Sequence, residues 1–297
     1  MPTVKIVEVG PRDGLQNEKQ QVDTASKLEL IRRLAASGLT TIEAGAFVSP
    51  KWVPQMADSL QVLQALDLSG AVNYPVLVPN DKGMEQALAA GVREIAVFGA
   101  ASESFSQKNI NASIAESLAR FDSVMASARR EGIRVRGYVS CVVDCPYEGP
   151  IAPSKVAEVA ARLLDMGCYE ISLGDTIGTA TPNRVLDMLE AVSKLVPIAQ
   201  LAGHFHDTYG MAISNIHASF QAGIRTFDSS IAGLGGCPYA RGASGNVATE
   251  DVAYLMHGLG VDCGMDLPSL VQTAWFAAGL LGRAPNSKVA QAMATAD

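Results

Sequence analysis

Two histidines two residues apart are the feature of this sequence with the clearest chemical meaning. The segment Gly203-His204-Phe205-His206 reads as a β-strand, and residues two apart on a strand point to the same face. His204 and His206 would then present two imidazoles side by side, which is half of a metal site. A buried histidine pair can also serve internal hydrogen bonds alone. Because half of the chain's four histidines lie in this one strand, we favour metal binding.

Two further residues can supply oxygen ligands to the same cation. Asp13 lies in Pro11-Arg12-Asp13-Gly14, where an aspartate is by default a turn former. Asn246 offers a neutral amide oxygen, although it is equally placed to cap a helix beginning at Val247. Oxygen and imidazole ligands together suit Mg²⁺ or Mn²⁺, and open coordination positions would leave room for a chelating substrate.

A cysteine in a glycine-rich loop is a candidate acid or base. Cys237 lies in Gly233-Leu234-Gly235-Gly236-Cys237-Pro238, and such loops are mobile and let the backbone approach a ligand closely. A thiol there can donate or accept a proton, although a loop cysteine without a role is the simpler interpretation. The chain's five cysteines are an odd number in a large sequence, which favours reduced thiols in a cytoplasm over a disulfide framework.

Strand-like and helix-like segments alternate along the whole chain. The predicted strands are residues 5–9, 40–43, 73–78, 94–98, 134–140, 169–173, 201–206 and 225–229. Regular alternation favours parallel βαβ units, and eight units predict a closed (β/α)8 TIM barrel, which needs roughly 250 residues. An open doubly wound sheet is the alternative, but no Gly-x-Gly-x-x-Gly turn follows the first strand.

Between and after these strands we expect one long helix over 114–131 and a glycine-rich lid loop over 232–245. A helix should follow the loop from Val247. We expect residues 1–265 to form the barrel and residues 266–297 a helical extension packed on it.

The active site of such a barrel lies at the C-terminal ends of its strands. The polar residues that follow or end the predicted strands are Arg12, Asp13, Glu43, Asn80, Ser140, Cys141, Asp175, Thr176, His204, His206, Cys237 and Asn246. Ionisable residues far apart in the chain therefore converge on one rim, which indicates an enzyme. A non-catalytic binding protein would not need a cation, an acid and metal ligands on the same rim.

Composition excludes several other classes of protein. The 297 residues carry a formal net charge of −7, with 48% hydrophobic and 18% charged residues. An acidic chain is a poor partner for nucleic acid or an anionic membrane surface. No window approaches the ~20 apolar residues of a membrane span, and no signal peptide is visible at the start. We expect a cytoplasmic enzyme acting on a small molecule.

Longer segments around these residues resemble the 3-hydroxy-3-methylglutaryl-coenzyme A lyases, of bacterial type. The matching segments are residues 7–19 (VEVGPRDGLQNEK), 47–56 (FVSPKWVPQM), 169–176 (YEISLGDT), 203–210 (GHFHDTYG), 232–240 (AGLGGCPYA) and 242–251 (GASGNVATED). One departure is Gly45-Ala46, which replaces a polar pair expected after Glu43 and is expected to alter contacts to the substrate.

The resemblance implies a metal-dependent lyase that cleaves the CoA thioester to acetyl-CoA and acetoacetate, as in leucine breakdown. It implies Mg²⁺ or Mn²⁺ bound by four residues: Asp13, His204, His206 and Asn246. It implies Arg12 at the thioester carbonyl, Glu43 supporting the site and Cys237 on the lid as acid or base. Substrate contacts are expected from Arg12, Gln16, Lys19, Asp175 and Thr176. A homodimer is the expected assembly.

The expected chemistry is a retro-Claisen cleavage, with a divalent ion on the tertiary hydroxyl and a guanidinium at the thioester oxygen. His204 or a metal-bound water is a second candidate for acid/base work. Three alternatives stay open: a related lyase or aldolase that acts on a longer branched thioester or a hydroxy-oxoacid, a metal hydrolase barrel, and a ligand-binding barrel without activity. Metal hydrolase barrels usually carry His-x-His on the first strand, whereas here the motif lies on the seventh.

Overall fold

A computed structural model describes residues 3–236 and 245–294, and eight parallel strands form its central sheet. They are β1 (Lys5–Glu8), β2 (Gly45–Ala46), β3 (Val76–Leu77), β4 (Glu94–Ala100), β5 (Arg134–Ser140), β6 (Glu170–Asp175), β7 (Leu201–Phe205) and β8 (Thr226–Ser229). The neighbours run in the order β1-β8-β7-β6-β5-β4-β3-β2. Glu8 of β1 also pairs with Ile42 just before β2, and its carbonyl accepts from the Glu43 amide at 2.8 Å. These contacts close the sheet into the predicted (β/α)8 barrel.

Helices surround the sheet and alternate with its strands. They are α1 (Thr24–Ala36), α2 (Ser59–Gln64), α3 (Asp81–Ala90), α4 (Glu103–Ile110), α5 (Ile114–Ala119), α6 (Asp122–Arg130), α7 (Pro153–Met166), α8 (Pro182–Val192), α9 (Ala212–Gln221), α10 (Thr249–Gly258), α11 (Leu267–Leu280) and α12 (Lys288–Ala292). A short antiparallel hairpin pairs Asp144–Cys145 with Gly149–Pro150. No helix in the described residues has the length and apolarity that crossing a membrane requires.

The hydrophobic core lies between the sheet and the helices. Helix α7 shows the pattern, since Val156, Ala160 and Leu163 are fully buried at helical spacing. Each large apolar side chain buried in this way stabilises the fold by roughly 1.5–3 kcal/mol. Helix α11 buries Leu270 and Ala274 in the same core, and Arg33 of α1 stacks over Phe276 of α11 with the guanidinium carbon 4.4 Å from the ring centre.

Several element boundaries differ from those that the sequence predicts. The expected long helix over 114–131 is two helices, α5 and α6. Phe121 separates them because its ring is buried and packs edge-on against Phe98, with ring centres 5.7 Å apart. Helix α10 begins at Thr249 and takes no side-chain cap, so the alternative role of Asn246 as a helix cap is wrong. Asn246 instead pairs with His206 in an isolated β-bridge.

Two buried glutamates join the first strand to the last part of the barrel. Glu8 accepts hydrogen bonds from the Gly10 and Ile231 amides at 2.7 and 2.9 Å and from the Thr249 hydroxyl at 2.6 Å. Glu250, also fully buried, accepts from the Ala232 amide at 3.2 Å. Burial raises the pKa of Glu8 to about 7 and that of Glu250 to about 8. The two carboxyls therefore fix the backbone just after β8 and hold protons that exposed glutamates would release.

We predict that Gly38→Ala destabilises the protein more than Gly91→Ala. Both glycines follow helices with positive φ, +96° and +75°, which costs an alanine ~1–2 kcal/mol. At Gly38 an added Cβ would also lie 2.0 Å from the Gly264 carbonyl oxygen, whereas at Gly91 nothing lies within 4 Å. Overpacking should add about 1–3 kcal/mol at Gly38. Urea unfolding measures both, and equal losses would contradict the contact between these two loops.

We predict that Glu250→Gln flattens the pH dependence of stability. Because its pKa is raised to about 8, the folded protein keeps a proton that the unfolded chain loses above an ordinary pKa of 4.5. The free energy of unfolding should therefore fall between about pH 5 and 8, by up to about 1.4 kcal/mol per pH unit from this group. Urea unfolding at several pH values measures the slope. The exposed Glu190→Gln is the control, and a Glu250→Gln slope equal to the wild-type slope would contradict the assignment.

Candidate active site and metal centre

A cavity of about 970 Å³ opens at the C-terminal ends of the barrel strands. Its floor contains residues from β5, β6 and β7 and from the turn that follows β1, and its sides carry aromatic residues and the end of α4. The lining residues include Arg12, Asp13, Gln16, Trp52, Asn80, Phe98, Phe105, Lys108, Asn109, Asn111, Tyr138, Ser140, Thr176, His204, His206 and Gly236. The predicted convergence of the strand ends on one rim is therefore present in the structure.

Arg12 is held on the cavity wall by two carboxylates. A tight helical turn over Gly10–Gly14 follows β1 and carries both Arg12 and Asp13. Arg12 Nε donates to Glu43 Oε2 at 2.7 Å, and Nη1 donates to Asp13 Oδ1 at 2.7 Å. Burial alone would lower the pKa of Arg12, but the charges of Glu43 and Asp13 raise it above its ordinary value. The guanidinium is therefore a fixed, permanently charged group.

Asp13, His204 and His206 together form a cluster suited to a metal ion. Each offers one ligand atom, and these atoms all lie within 4.8 Å of one another. Both imidazoles are buried, and His206 Nδ1 is buried without a hydrogen-bond partner among the described residues. An unpartnered buried nitrogen is costly, whereas a bound cation would satisfy it. The donor set therefore fits a divalent ion.

The protonation states of Asp13 and His206 also suit a cation. Burial would raise the pKa of Asp13, but Arg12 and the two histidines lower it to about 2, so the carboxylate is ionised. Burial, followed by the nearby His204, lowers the pKa of His206 to about 4, so this imidazole is neutral. Metal ligands must be deprotonated, and these two groups meet that requirement near neutral pH.

Asn246 lies beside the cluster because of an unusual backbone contact. Its Nδ2 donates to Asp13 Oδ2 at 2.9 Å and to the Leu234 carbonyl at 3.2 Å. The preceding Gly245 has φ +88°, and a Cβ there would lie 2.5 Å from the Gly235 carbonyl oxygen. Only glycine permits this approach of one backbone to another. The two glycines thus bring Asn246 to the carboxylate that shares the candidate site.

A buried polar network behind the cluster was not anticipated from the sequence. Asp228 on β8 contacts His204, with Oδ2 3.1 Å from Nδ1. Arg136 on β5 donates to both oxygens of Asp228, at 2.7 and 3.1 Å, and to the Tyr138 hydroxyl at 3.0 Å. The sequence signal was present, since Arg136, Tyr138 and Ser140 alternate along one strand and therefore share its inner face.

Tyr138 lies between this network and Arg12. Its hydroxyl donates to Glu43 Oε2 at 3.4 Å, and its ring has the guanidinium carbons of Arg12 and Arg136 at 5.6 and 5.0 Å from its centre. Burial raises the pKa of Tyr138 well above its ordinary value, so the phenol stays neutral. It can offer a proton to Glu43 while it faces the cavity.

The expected substrate-contacting residues fall into two groups. Gln16 and Thr176 line the cavity, and Gln16 Oε1 is buried without a partner among the described residues. Asp175 and Lys19 do not line it. Asp175 is fully buried and accepts from the Thr179 and Ala180 amides at 3.2 and 2.9 Å, whereas Lys19 is exposed. Glu43 contacts Arg12 from behind, and Cys237 lies outside the described residues.

Comparisons with known proteins identify the family. The family model described as HMGL-like matches residues 3–276. The chain is 60% identical over 289 residues to the mitochondrial hydroxymethylglutaryl-CoA lyase of Bos taurus, a match that covers 97% of this chain and 89% of that protein.

Two solved structures extend the likeness to the whole fold. The hydroxymethylglutaryl-CoA lyase from Pseudomonas aeruginosa matches with a TM-score of 0.96 and 55% identity, covering 99% of this chain and 98% of that one. An HMG-CoA lyase from Acinetobacter baumannii, in complex with coenzyme A and 3-methylmalate, matches with a TM-score of 0.93 and 35% identity, covering 99% and 96%. This chain belongs to the HMGL-like family, as one of its hydroxymethylglutaryl-CoA lyases.

Proposed function

We propose that this chain cleaves 3-hydroxy-3-methylglutaryl-CoA to acetyl-CoA and acetoacetate with a bound divalent cation, Mg²⁺ or Mn²⁺. The observation that carries the proposal is the contact between Arg12 and Asp13 at 2.7 Å. It places a permanent positive charge directly beside a cluster of metal-ligand donors on one cavity wall. A substrate with a hydroxyl, a carboxylate and a thioester carbonyl within a few bonds of one another could reach both.

In the proposed reaction the tertiary hydroxyl at C3 gives its proton to a base and the C2–C3 bond breaks. C3 becomes the ketone of acetoacetate, and the electron pair passes to C2 as a thioester enolate. A proton then adds to C2 to give acetyl-CoA. The chain must therefore supply a base, a group that stabilises the enolate oxygen, and an acid.

The cation would be held by Asp13, His204 and His206, with Asn246 beside them as a fourth ligand. When bound, a divalent ion at this place would lower the pKa of the substrate hydroxyl and fix its orientation. Asp13 would contribute the anionic oxygen and His206 a neutral nitrogen, in keeping with the pKa values of these two groups.

Arg12 would stabilise the enolate oxygen. Among the described residues only Nε and Nη1 of Arg12 have hydrogen-bond partners, so Nη2 remains to donate to the thioester oxygen. Because Glu43 and Asp13 already orient the guanidinium, little reorganisation is needed as negative charge develops. Preorganised donors of this kind are usually the largest contribution to catalysis.

We propose for the chain the acid/base roles and the substrate contacts that the resemblance implies. His204 is a candidate base beside the reacting hydroxyl, and Cys237 is a candidate acid on the glycine-rich lid. Gln16 and Thr176 would contact the acyl group from the cavity wall, with Asp175 shaping the loop that carries Thr176 and Lys19 reaching the coenzyme A moiety. The relative that was solved with coenzyme A supports an acyl-CoA substrate. We also propose a cytoplasmic homodimer that acts in leucine breakdown.

Removal of divalent cations should abolish acetoacetate formation. We expect protein treated with chelator and desalted to be inactive on 3-hydroxy-3-methylglutaryl-CoA, and Mg²⁺ or Mn²⁺ to restore activity. Without the cation, the C3 hydroxyl of the substrate would keep its high pKa. An enzymatic acetoacetate assay measures this. Full activity in chelator, or rescue of Asp13→Ala by metal alone, would overturn the proposed metal role.

Arg12→Gln should lower kcat by at least about 10²–10³-fold, the cost of losing one preorganised donor to a developing oxyanion. Mn²⁺ affinity should change little, since Arg12 is not a ligand. Arg12→Lys should restore only part of the rate, because an ammonium group cannot form the same hydrogen bonds to Glu43 and Asp13 as the guanidinium. Arg32→Gln is the matched control, with a side chain 69% exposed. Unchanged kcat in Arg12→Gln would contradict the electrophilic role.

A further inference from the structure

The two histidines of the candidate metal site are held differently. His204 Nδ1 lies 3.1 Å from Asp228 Oδ2, whereas His206 Nδ1 has no hydrogen-bond partner among the described residues. The difference follows from the register of the barrel, because Asp228 of β8 pairs directly with His204 of β7. Both side chains point to the barrel interior, where the aspartate has no exposed surface.

We propose that Asp228 is a positioning residue that holds His204 with its proton on Nδ1, so that Nε2 is the atom directed at the cation. This inference rests on the proposed metal site and goes further, since it assigns the binding nitrogen and the residue that selects it. A histidine ligand commonly donates its other ring N–H to a carboxylate, which fixes the tautomer and the ring orientation.

The direction of the His204–Asp228 hydrogen bond follows from the other partners of Asp228. Oδ2 accepts from the Ser172 hydroxyl at 2.7 Å and from Arg136 Nη1 at 3.1 Å, and Oδ1 accepts from Arg136 Nη2 at 2.7 Å. An arginine can only donate, and its two-pronged contact marks Asp228 as a carboxylate that can only accept. The proton between Asp228 and His204 therefore comes from Nδ1.

The carboxylate cannot turn away from His204 because Arg136 is itself fixed. Arg136 Nε donates to Glu170 Oε1 at 2.7 Å, and the Arg136 side chain is only 2% exposed. Glu170 in turn accepts from the Thr226 hydroxyl at 3.1 Å. The orientation of one imidazole is thus set by a chain of contacts that crosses the barrel from β7 through β8 to β5 and β6.

Asp228→Ala tests the assignment because it removes the acceptor that faces His204 Nδ1. No carboxylate would then hold the proton on Nδ1 or fix the ring, so His204 would also populate the tautomer whose Nε2 carries the proton and cannot bind a cation. In Asp228→Ala we expect Mn²⁺ affinity, measured by electron paramagnetic resonance on the purified protein, to fall about 10–100-fold, the usual effect of losing such a partner. Asp228→Asn should be milder, because Ser172, Arg136 Nη1 and His204 all face the Oδ2 position and an amide oxygen there still accepts from Nδ1.

Glu170→Gln is the control, since it removes one buried negative charge from the same arginine, while its amide oxygen can still accept from Arg136 Nε and keep the arginine in place. It should bind Mn²⁺ like the wild type. Equal weakening by Asp228→Ala and Glu170→Gln, or none by Asp228→Ala, would overturn the positioning role. A wild-type protein that binds no Mn²⁺ would instead overturn the proposed metal site, so the two failures are distinguishable.

A second measurement needs no change at Asp228 and decides the matter if Asp228→Ala does not fold. In Mg²⁺-loaded protein with ¹⁵N-labelled histidine, His217→Gln and His257→Gln leave only the two site imidazoles to observe. Long-range ¹H–¹⁵N correlation spectra should show His204 protonated at Nδ1, with a metal-shifted Nε2. Metal binding at Nδ1 of His204 would refute the assignment.

Discussion

The site depends on the ion pair between Arg12 and Asp13. These adjacent residues leave the first strand in one tight turn, and a 2.7 Å contact joins their side chains. The pair would make one carboxylate serve two purposes, as an anchor for the guanidinium and as a ligand for a cation. Because Arg12 lowers the pKa of Asp13 to about 2, the carboxylate stays ionised at neutral and mildly acidic pH. Glu43 completes the arrangement by holding the other edge of Arg12.

The period of two along a strand and the rule that barrels place chemistry at strand ends were enough to predict much of this site. They identified His204 and His206 on one face and Asp13 on the same rim, and the structure brings the three together. They did not identify Asp228 or Arg136, which lie 92 residues apart and meet only through strand register. The position of Arg136 within a predicted strand indicated that its charged side chain could point into the barrel. The local sequence pattern could not identify Asp228 as its partner.

Alternation also could not decide between neighbours at the end of a strand. Asp175 and Thr176 are adjacent, and both were expected at the substrate. Thr176 lines the cavity, whereas the carboxylate of Asp175 turns to the amides of its own loop. Which of the two side chains faces the cavity depends on hydrogen bonds within the loop, and these form only in the folded structure. The bounds of β2 and β3 were equally hard to predict from the local sequence. Each strand has only two residues, and next to β2 the barrel closes through an isolated pair between Glu8 and Ile42.

The charged network in the middle of the barrel is poor evidence for a gain in stability. Taking Arg136 and Asp228 out of water is expensive, and well-packed apolar residues in place of a buried ion pair often leave stability unchanged or increase it. The surrounding helices and strands already supply a continuous apolar core. An apolar layer could fill the same space, but it could not hold the imidazole of His204 in one tautomer or present Tyr138 to Glu43. We therefore interpret the network as a means of orientation. Arg136 fixes Asp228 behind the proposed ligand His204, and Arg12 fixes the carboxylate of Asp13. The Tyr138 ring lies between the two guanidinium groups. The barrel gives up part of its apolar interior so that the groups at its rim do not have to reorganise when substrate binds.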